Sequence, residues 1–330
     1  MSTSPLLRGR PVLQAAATAL IGALLLVPVV FSGHPAVRIF TLMYVGILME
    51  ALPFMLLGSC ISGLLEVYVS RERLLAYLPR NPVGVTVAAA ALGLVLPVCE
   101  CAVVPVVRRL SKKGLPLSAC VAYLIAGPIL NPIVFFSTFM AYRWDLRIAL
   151  TRMLFGFVIA IMLGLIMRRI FKRQYAFLDK SKVLDETAAG TTPASPIITA
   201  IRYASDEFMR MAPYLMIGAA LAALAQTLLD RQFLQTLSAT PILPSFVMML
   251  MAILLNLCSE ADAFIAASFR GIIPLPAQMT FILTGPIVDL KLILMYRTMF
   301  TPKAILILVG LSLAALSVSI FILEAIGGSL

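Results

Sequence analysis

The chain has 330 residues, of which 61% are hydrophobic and only 12% charged, with a net charge of +11. A soluble domain carries about 25% charged residues, so the composition excludes an ordinary soluble globule and points to the bilayer. The basic excess calls for no nucleic-acid partner, because lysine and arginine hold loops on the cytoplasmic side and face anionic lipid.

Nine apolar runs, each about the 20 residues that cross a bilayer or longer, follow one another along the chain. Only helices or closed barrels satisfy the backbone in hydrocarbon, and runs of this length predict an all-α polytopic membrane protein. The first, 12–32, follows Arg8 and Arg10 as a signal sequence would; it is read as an uncleaved first span within an N-terminal segment, 1–38.

Run 39–69 carries Glu50. Run 83–107 contains "LPVCECAVVP", in which Cys99, Glu100 and Cys101 stand between Pro97 and Pro105. Run 115–141 contains "GPILNP" with Asn131, and run 146–167 a small-residue stripe, Gly156, Ala160 and Gly164, suited to helix packing. These runs make a first repeat, 39–167. A polar stretch rich in Lys and Arg, 168–206, reads as a cytoplasmic linker.

The second repeat, 207–330, holds runs 208–229, 242–269, 275–295 and 304–326. Run 242–269 contains "NLCSEAD", with Cys258, Glu260 and Asp262. Run 275–295 contains "GPIVDL", with Asp289, and Lys291 two residues later.

Charge bias decides between two topologies. If all nine runs cross, the 26 Lys and Arg residues divide almost evenly between the two sides. If 83–107 and 242–269 instead dip in and return, only Arg38, Arg143, Arg147, Arg152, Arg231 and Arg270 fall outside. The positive-inside rule favours the second arrangement. Folded in two, a 25-residue run gives legs of about 18 Å at 1.5 Å per residue, a little past mid-membrane.

The halves repeat weakly. "ALPFMLLG" (51–58) matches "MAPYLMIG" (211–218), and "LPLSACVAYLIAGPILNP" (115–132) matches "IPLPAQMTFILTGPIVDL" (273–290). Between them Cys99 falls opposite Cys258. Three spans and one hairpin per half would invert the second repeat against the first, with interrupted helices meeting at the midplane.

Residues i and i+2 on a regular helix point apart, but at a non-helical turn Cys99 and Cys101 converge, and the repeat brings Cys258 toward them. Three sulfurs suit a soft or borderline centre; buried cysteine as a small hydrophobe is the plain alternative, and the one adopted for Cys60 and Cys120. The intramembrane acids Glu50, Glu100, Glu260, Asp262 and Asp289 each cost roughly 2.5–3.5 kcal/mol on insertion scales. Such groups face a cavity, bind cargo or relay protons, or else form structural hydrogen bonds in the bundle. Asn131 and Asp289 hold matched positions after Gly-Pro breaks. No phosphate-binding Gly-x-x-x-x-Gly-Lys-Ser/Thr motif is present, so ATP hydrolysis is not expected.

"LPVCECAVVPVVRRLSKKGLPLSACVAYLIAGPILNP" and "CSEADAFIAASF" resemble the signatures of a bacterial predicted-permease family that includes organoarsenical efflux permeases. The resemblance extends over most of 40–325 apart from the linker. It implies an inner-membrane permease and, for some relatives, export of trivalent arsenicals, which bind thiols. The expected protein is therefore a non-enzymatic, cofactor-free secondary permease of a small metalloid or soft metal substrate. Cys99, Glu100, Cys101, Cys258, Asn131 and Asp289 are its candidate cargo contacts, and Glu50, Glu260 and Asp262 its proton-coupling residues. A zinc-type permease, an intramembrane thiol–disulfide oxidoreductase and a non-translocating scaffold remain alternatives. The expected partners are cargo and lipid, with a homo-oligomer or small partner protein left open.

Overall fold

A computed structural model describes residues 35–70, 79, 81–96, 98–171, 176–177, 195–228 and 243–327. The expected first span at 12–32, Pro97 and most of the linker lie outside the described residues.

Twelve helices are described. The first half contains α1 (Pro35–Tyr68), α2 (Pro82–Val95), α3 (Glu100–Lys113), α4 (Leu117–Ile129), α5 (Pro132–Ala141) and α6 (Leu146–Ile170). The second contains α7 (Pro196–Leu228), α8 (Leu243–Leu255), α9 (Ser259–Ser268), α10 (Leu275–Thr284), α11 (Leu290–Tyr296) and α12 (Pro302–Gly327). Long helix, two short pairs, long helix: the order is the same in both halves. Five segments are long and apolar enough to span a bilayer: Val37–Tyr68, Leu117–Ala141, Leu146–Ile170, Pro196–Thr227 and Pro302–Ala325.

Runs 83–107 and 242–269 are not continuous spans; each is split near its middle. α2 ends at Leu96 in extended backbone, and Cys99, also extended, is the N-cap of α3. In the second half Asn256 has φ 53°, the left-handed region that asparagine tolerates better than most residues, and it ends α8. Cys258 then N-caps α9. The other two breaks are capped by side chains. Asn131 accepts from Ile133 N at 2.9 Å ahead of Pro132 at N1, and Asp289 accepts from Leu292 N at 2.5 Å.

Contacts fix the direction of each leg. α6 ends at Ile170, where the chain enters the linker, so that face is the linker side. There Gly164 of α6 packs on Ser118 at the start of α4 and Thr86 at the start of α2. At their other ends α2 and α4 meet again, with Gly93 against Ala126 and Gly127. α3 begins beside Gly127, which Val103 touches, and ends at Lys113, one short turn before α4. The chain therefore reverses between α2 and α3. Lys113 Nζ donates to Glu66 O at 2.9 Å and Val69 O at 2.6 Å, placing the end of α1 on the linker side too.

The second hairpin opens on the opposite face. Tyr142, just beyond α5, donates to Gln278 Oε1 of α10 at 3.1 Å and lies under Arg270 in the α9–α10 connection. Ser245 at the start of α8 donates to Glu324 near the end of α12 at 3.4 Å. The start of α12 is on the linker side, where Thr301 N donates to Ala176 O at 2.9 Å. α8 enters from the face opposite the linker, and α9 returns to it. α1 and α7 pack antiparallel, with Gly63 against Ala200 and Ala204 at one end and Tyr44 and Ile47 among Ala219, Ala222 and Ala223 at the other.

Two basic residues depart from the expected charge count. Arg152, expected outside, is 1% exposed within α6, and Lys291, expected in an inner loop, is 2% exposed at the centre of the bundle. Lys291 pairs with buried acids and Arg152 donates to buried oxygens within the protein.

Candidate functional site

The two hairpin tips and the α10–α11 break meet around buried charges. Glu100, the first residue of α3, is fully buried and forms an ion pair with Lys291 of α11. Its other oxygen, Oε2, accepts from Ser259 Oγ of α9 at 3.2 Å. Glu100 and Ser259 are matched by the internal repeat, so the first residues of the two returning legs touch each other. Lys291 Nζ lies 3.4 Å from Asp289 Oδ2 and donates to Asn256 O at 3.3 Å, a carbonyl at the α8–α9 break. With its amide oriented by its neighbours, Asn256 donates in turn to Asp289 Oδ2 at 2.7 Å.

A second buried group adjoins the first. Arg152 reaches from α6 to donate to Thr138 Oγ1 of α5 at 2.7 Å and to Ser259 O at 3.0 Å. Asp262, one turn into α9 and 1% exposed, lies against Gly285, and its Oδ2 has no hydrogen-bond partner. A β-carbon at Gly285 would collide with that oxygen. Buried charge persists only when paired and hydrogen-bonded, and this junction spends α3, α6, α8, α9 and α11 on that requirement.

The thiols border it. Cys99, Cys101 and Cys258 are free and buried. Because Cys99 is the non-helical cap and Cys101 the second helical residue, their thiols come within hydrogen-bonding reach. Cys258 caps the facing tip, within electrostatic range of Glu100, Lys291 and Cys101. Among the described residues, no three His, Cys, Asp or Glu side chains are grouped to hold a metal ion.

The other expected residues fall at varied distances from the junction. Asp289 is part of it. Glu260 is half-buried in the first turn of α9, beside it. Asn131, 1% exposed, caps α5. Glu50 is half-buried on α1 and joins none of the ion pairs among the described residues.

Sequence reasoning missed Arg152, Ser259 and Asn256 as members of the junction. Arg152, well inside the apolar run 146–167, is the signal in the sequence. It also missed a linker-side ion network. Arg108 Nη1 pairs with Glu207 Oε1 at 2.8 Å, Arg109 with Glu207 Oε2 at 3.3 Å and Glu66 at 3.6 Å, and Lys113 with Glu66 at 3.6 Å. Glu207 stands just outside the apolar run 208–229, where an acid looks like a loop residue.

The profile of a family described as a predicted permease matches residues 36–325. The chain is 35% identical over 268 residues to UPF0718 protein YcgR of Bacillus subtilis, covering 81% of this chain and 90% of that protein. It is 34% identical over 277 residues to a Streptococcus mutans protein named "Putative two-component membrane permease complex subunit", covering 82% and 89%. UPF0718 protein MJ0584 of Methanocaldococcus jannaschii is 25% identical over 160 residues, covering 48% and 42%. No solved structure matches the chain.

Proposed function

The chain belongs to the predicted-permease family, and on that premise we propose that it is a secondary-active, proton-coupled exporter of a thiol-reactive metalloid or soft metal species. The observation that carries this reading is the buried junction of Glu100, Lys291 and Asp289 where two oppositely opening hairpins touch. Interrupted helices that meet at the midplane leave charged and polar groups facing a pathway rather than lipid, which suits alternating access.

In this reading the two halves are inverted repeats in a bacterial inner membrane, with the N-terminus and linker cytoplasmic. Cargo passes between the tips and exchanges onto Cys99, Cys101 and Cys258 in turn. Thiolates favour soft centres such as a trivalent arsenical, and three separate thiols can release what a closed four-ligand site would retain. Glu100, Asp289, Asp262 and Glu260 exchange protons as access changes sides. The name of the Streptococcus mutans relative supports a further element, a partner subunit in the membrane.

The test is uptake into inverted vesicles. A panel of a trivalent organoarsenical, zinc and copper(I) is offered with and without a proton gradient. The expected result is gradient-driven accumulation of the thiol-reactive species, falling at least tenfold in Cys99→Ser and in Cys101→Ser. Full transport in both single variants removes the thiols from the mechanism. Gradient-driven zinc uptake that survives both points to the zinc-type alternative.

A further inference from the structure

We infer that Lys291 is a tethered counter-cation: its ammonium occupies, from within the chain, a monovalent-cation site built by Glu100, Asp289 and Asn256. The inference deepens the permease reading by identifying what neutralises the acidic pair at its centre, and its binding arm stands apart from that reading.

The donor set is the first observation. Nζ faces one oxygen of Glu100, Asp289 Oδ2 at 3.4 Å and the main-chain carbonyl of Asn256 at 3.3 Å. Carboxylate and carbonyl oxygens are the ligands that hard cations take. Carbonyls freed where a helix unwinds coordinate monovalent ions in broken-helix transporters. These oxygens come from three elements: the first hairpin tip, the α8–α9 break and the cap of α11.

The second observation is how the stem is held. A β-carbon at Gly218 of α7 would stand 2.7 Å from Lys291 Cα and 2.9 Å from its Cβ. The glycine lets α11 press against α7 with the lysine stem between them. Lys291 therefore does not snorkel to a polar surface as long basic side chains do; it is 2% exposed.

The third is asymmetry. In the first half the position matched to Lys291 is Ile133, 56% exposed, and the residue matched to Asp289 is the neutral Asn131. Only one half carries the second acid, and the same half carries the cation. Charge and counter-charge enter together, two residues apart.

Removing the ammonium should leave a vacancy for an external ion. Lys291→Ala, purified in choline buffer, is titrated with Li⁺, Na⁺ and K⁺ while its unfolding midpoint is followed. The expected result is a saturable rise in midpoint with at least one of these ions, absent from the wild type and abolished by adding Glu100→Gln. A Lys291→Ala protein no more cation-responsive than wild type overturns the inference. If that variant does not fold without cation, the Glu100→Gln/Lys291→Ala pair, losing one charge of each sign, should fold; its failure to do so is equally contrary. In vesicles, uptake by Lys291→Ala should be lost in choline and recovered with the binding ion. Cation binding without such recovery leaves the tethered cation standing and counts against the permease reading.

Discussion

Glu207 shows how burial sets the value of an ion pair. Its carboxylate, 1% exposed, holds Arg108 and Arg109 against α7, whereas the side chain of Glu66, which serves Arg109 and Lys113, is 23% exposed. Breaking a buried pair strands a charge and costs about 3–5 kcal/mol; water reaches part of the Glu66 carboxylate and screens its pairs, which lowers their value. Glu207→Gln should therefore lower the unfolding midpoint in detergent far more than Glu66→Gln. Equal shifts would mean the guanidinium groups find water once Glu207 is gone. Glu100, Asp262 and Asp289 stand out in the sequence because a carboxylate in an apolar run is costly to insert. The links of Lys291 to Glu100 and of Arg152 to Thr138 and Ser259 join different helices and are out of sight along the chain, whereas Asp289 stands two residues before Lys291.

At the scale of elements, glycines govern how closely helices approach. A β-carbon at Gly58 of α1 would stand 2.6 Å from Ala102 Cα and 2.8 Å from Ala102 O. Backbone cannot yield there, so Gly58→Ala should push α1 off α3 and lower the unfolding midpoint by several degrees. Gly46, on the same helix, has nothing within 4 Å, and Gly46→Ala should be neutral or stabilise by about 0.5–1 kcal/mol. Identical responses would contradict the close packing of α1 on α3.

The breaks were legible to different degrees. The two prolines of "LPVCECAVVP" predict interruptions of regular helix; α2 ends at Leu96 and Cys99 caps α3, but Pro105 lies inside α3 and does not break it. "NLCSEAD" has no proline to announce one, and its break rests on the left-handed backbone of Asn256. "GPILNP" gave the break but not its place. Pro128 lies inside α4, and the helix instead ends at Leu130, where Asn131 caps α5. Proline disfavours the α conformation in the residue before it, and Pro132 acts in this way on Asn131. In "GPIVDL" the break falls where expected: α10 ends at Thr284, and Asp289 caps α11.

For the whole molecule, the decisive geometry is that the two hairpins enter from opposite faces. The proposed inverted-repeat and alternating-access mechanism depends on that arrangement. Lys112, exposed at the end of α3, and Ile272, 67% exposed in the α9–α10 connection, mark the two open ends. Cysteines introduced one at a time at these positions, in a background with Cys60, Cys99, Cys101, Cys120 and Cys258 replaced by Ser, can be offered a membrane-impermeant maleimide. Intact cells and inverted vesicles present opposite faces to the reagent. Lys112→Cys should react only from the linker side and Ile272→Cys only from the other. Labelling of both from one face would mean parallel repeats and would contradict the arrangement on which the transport mechanism rests.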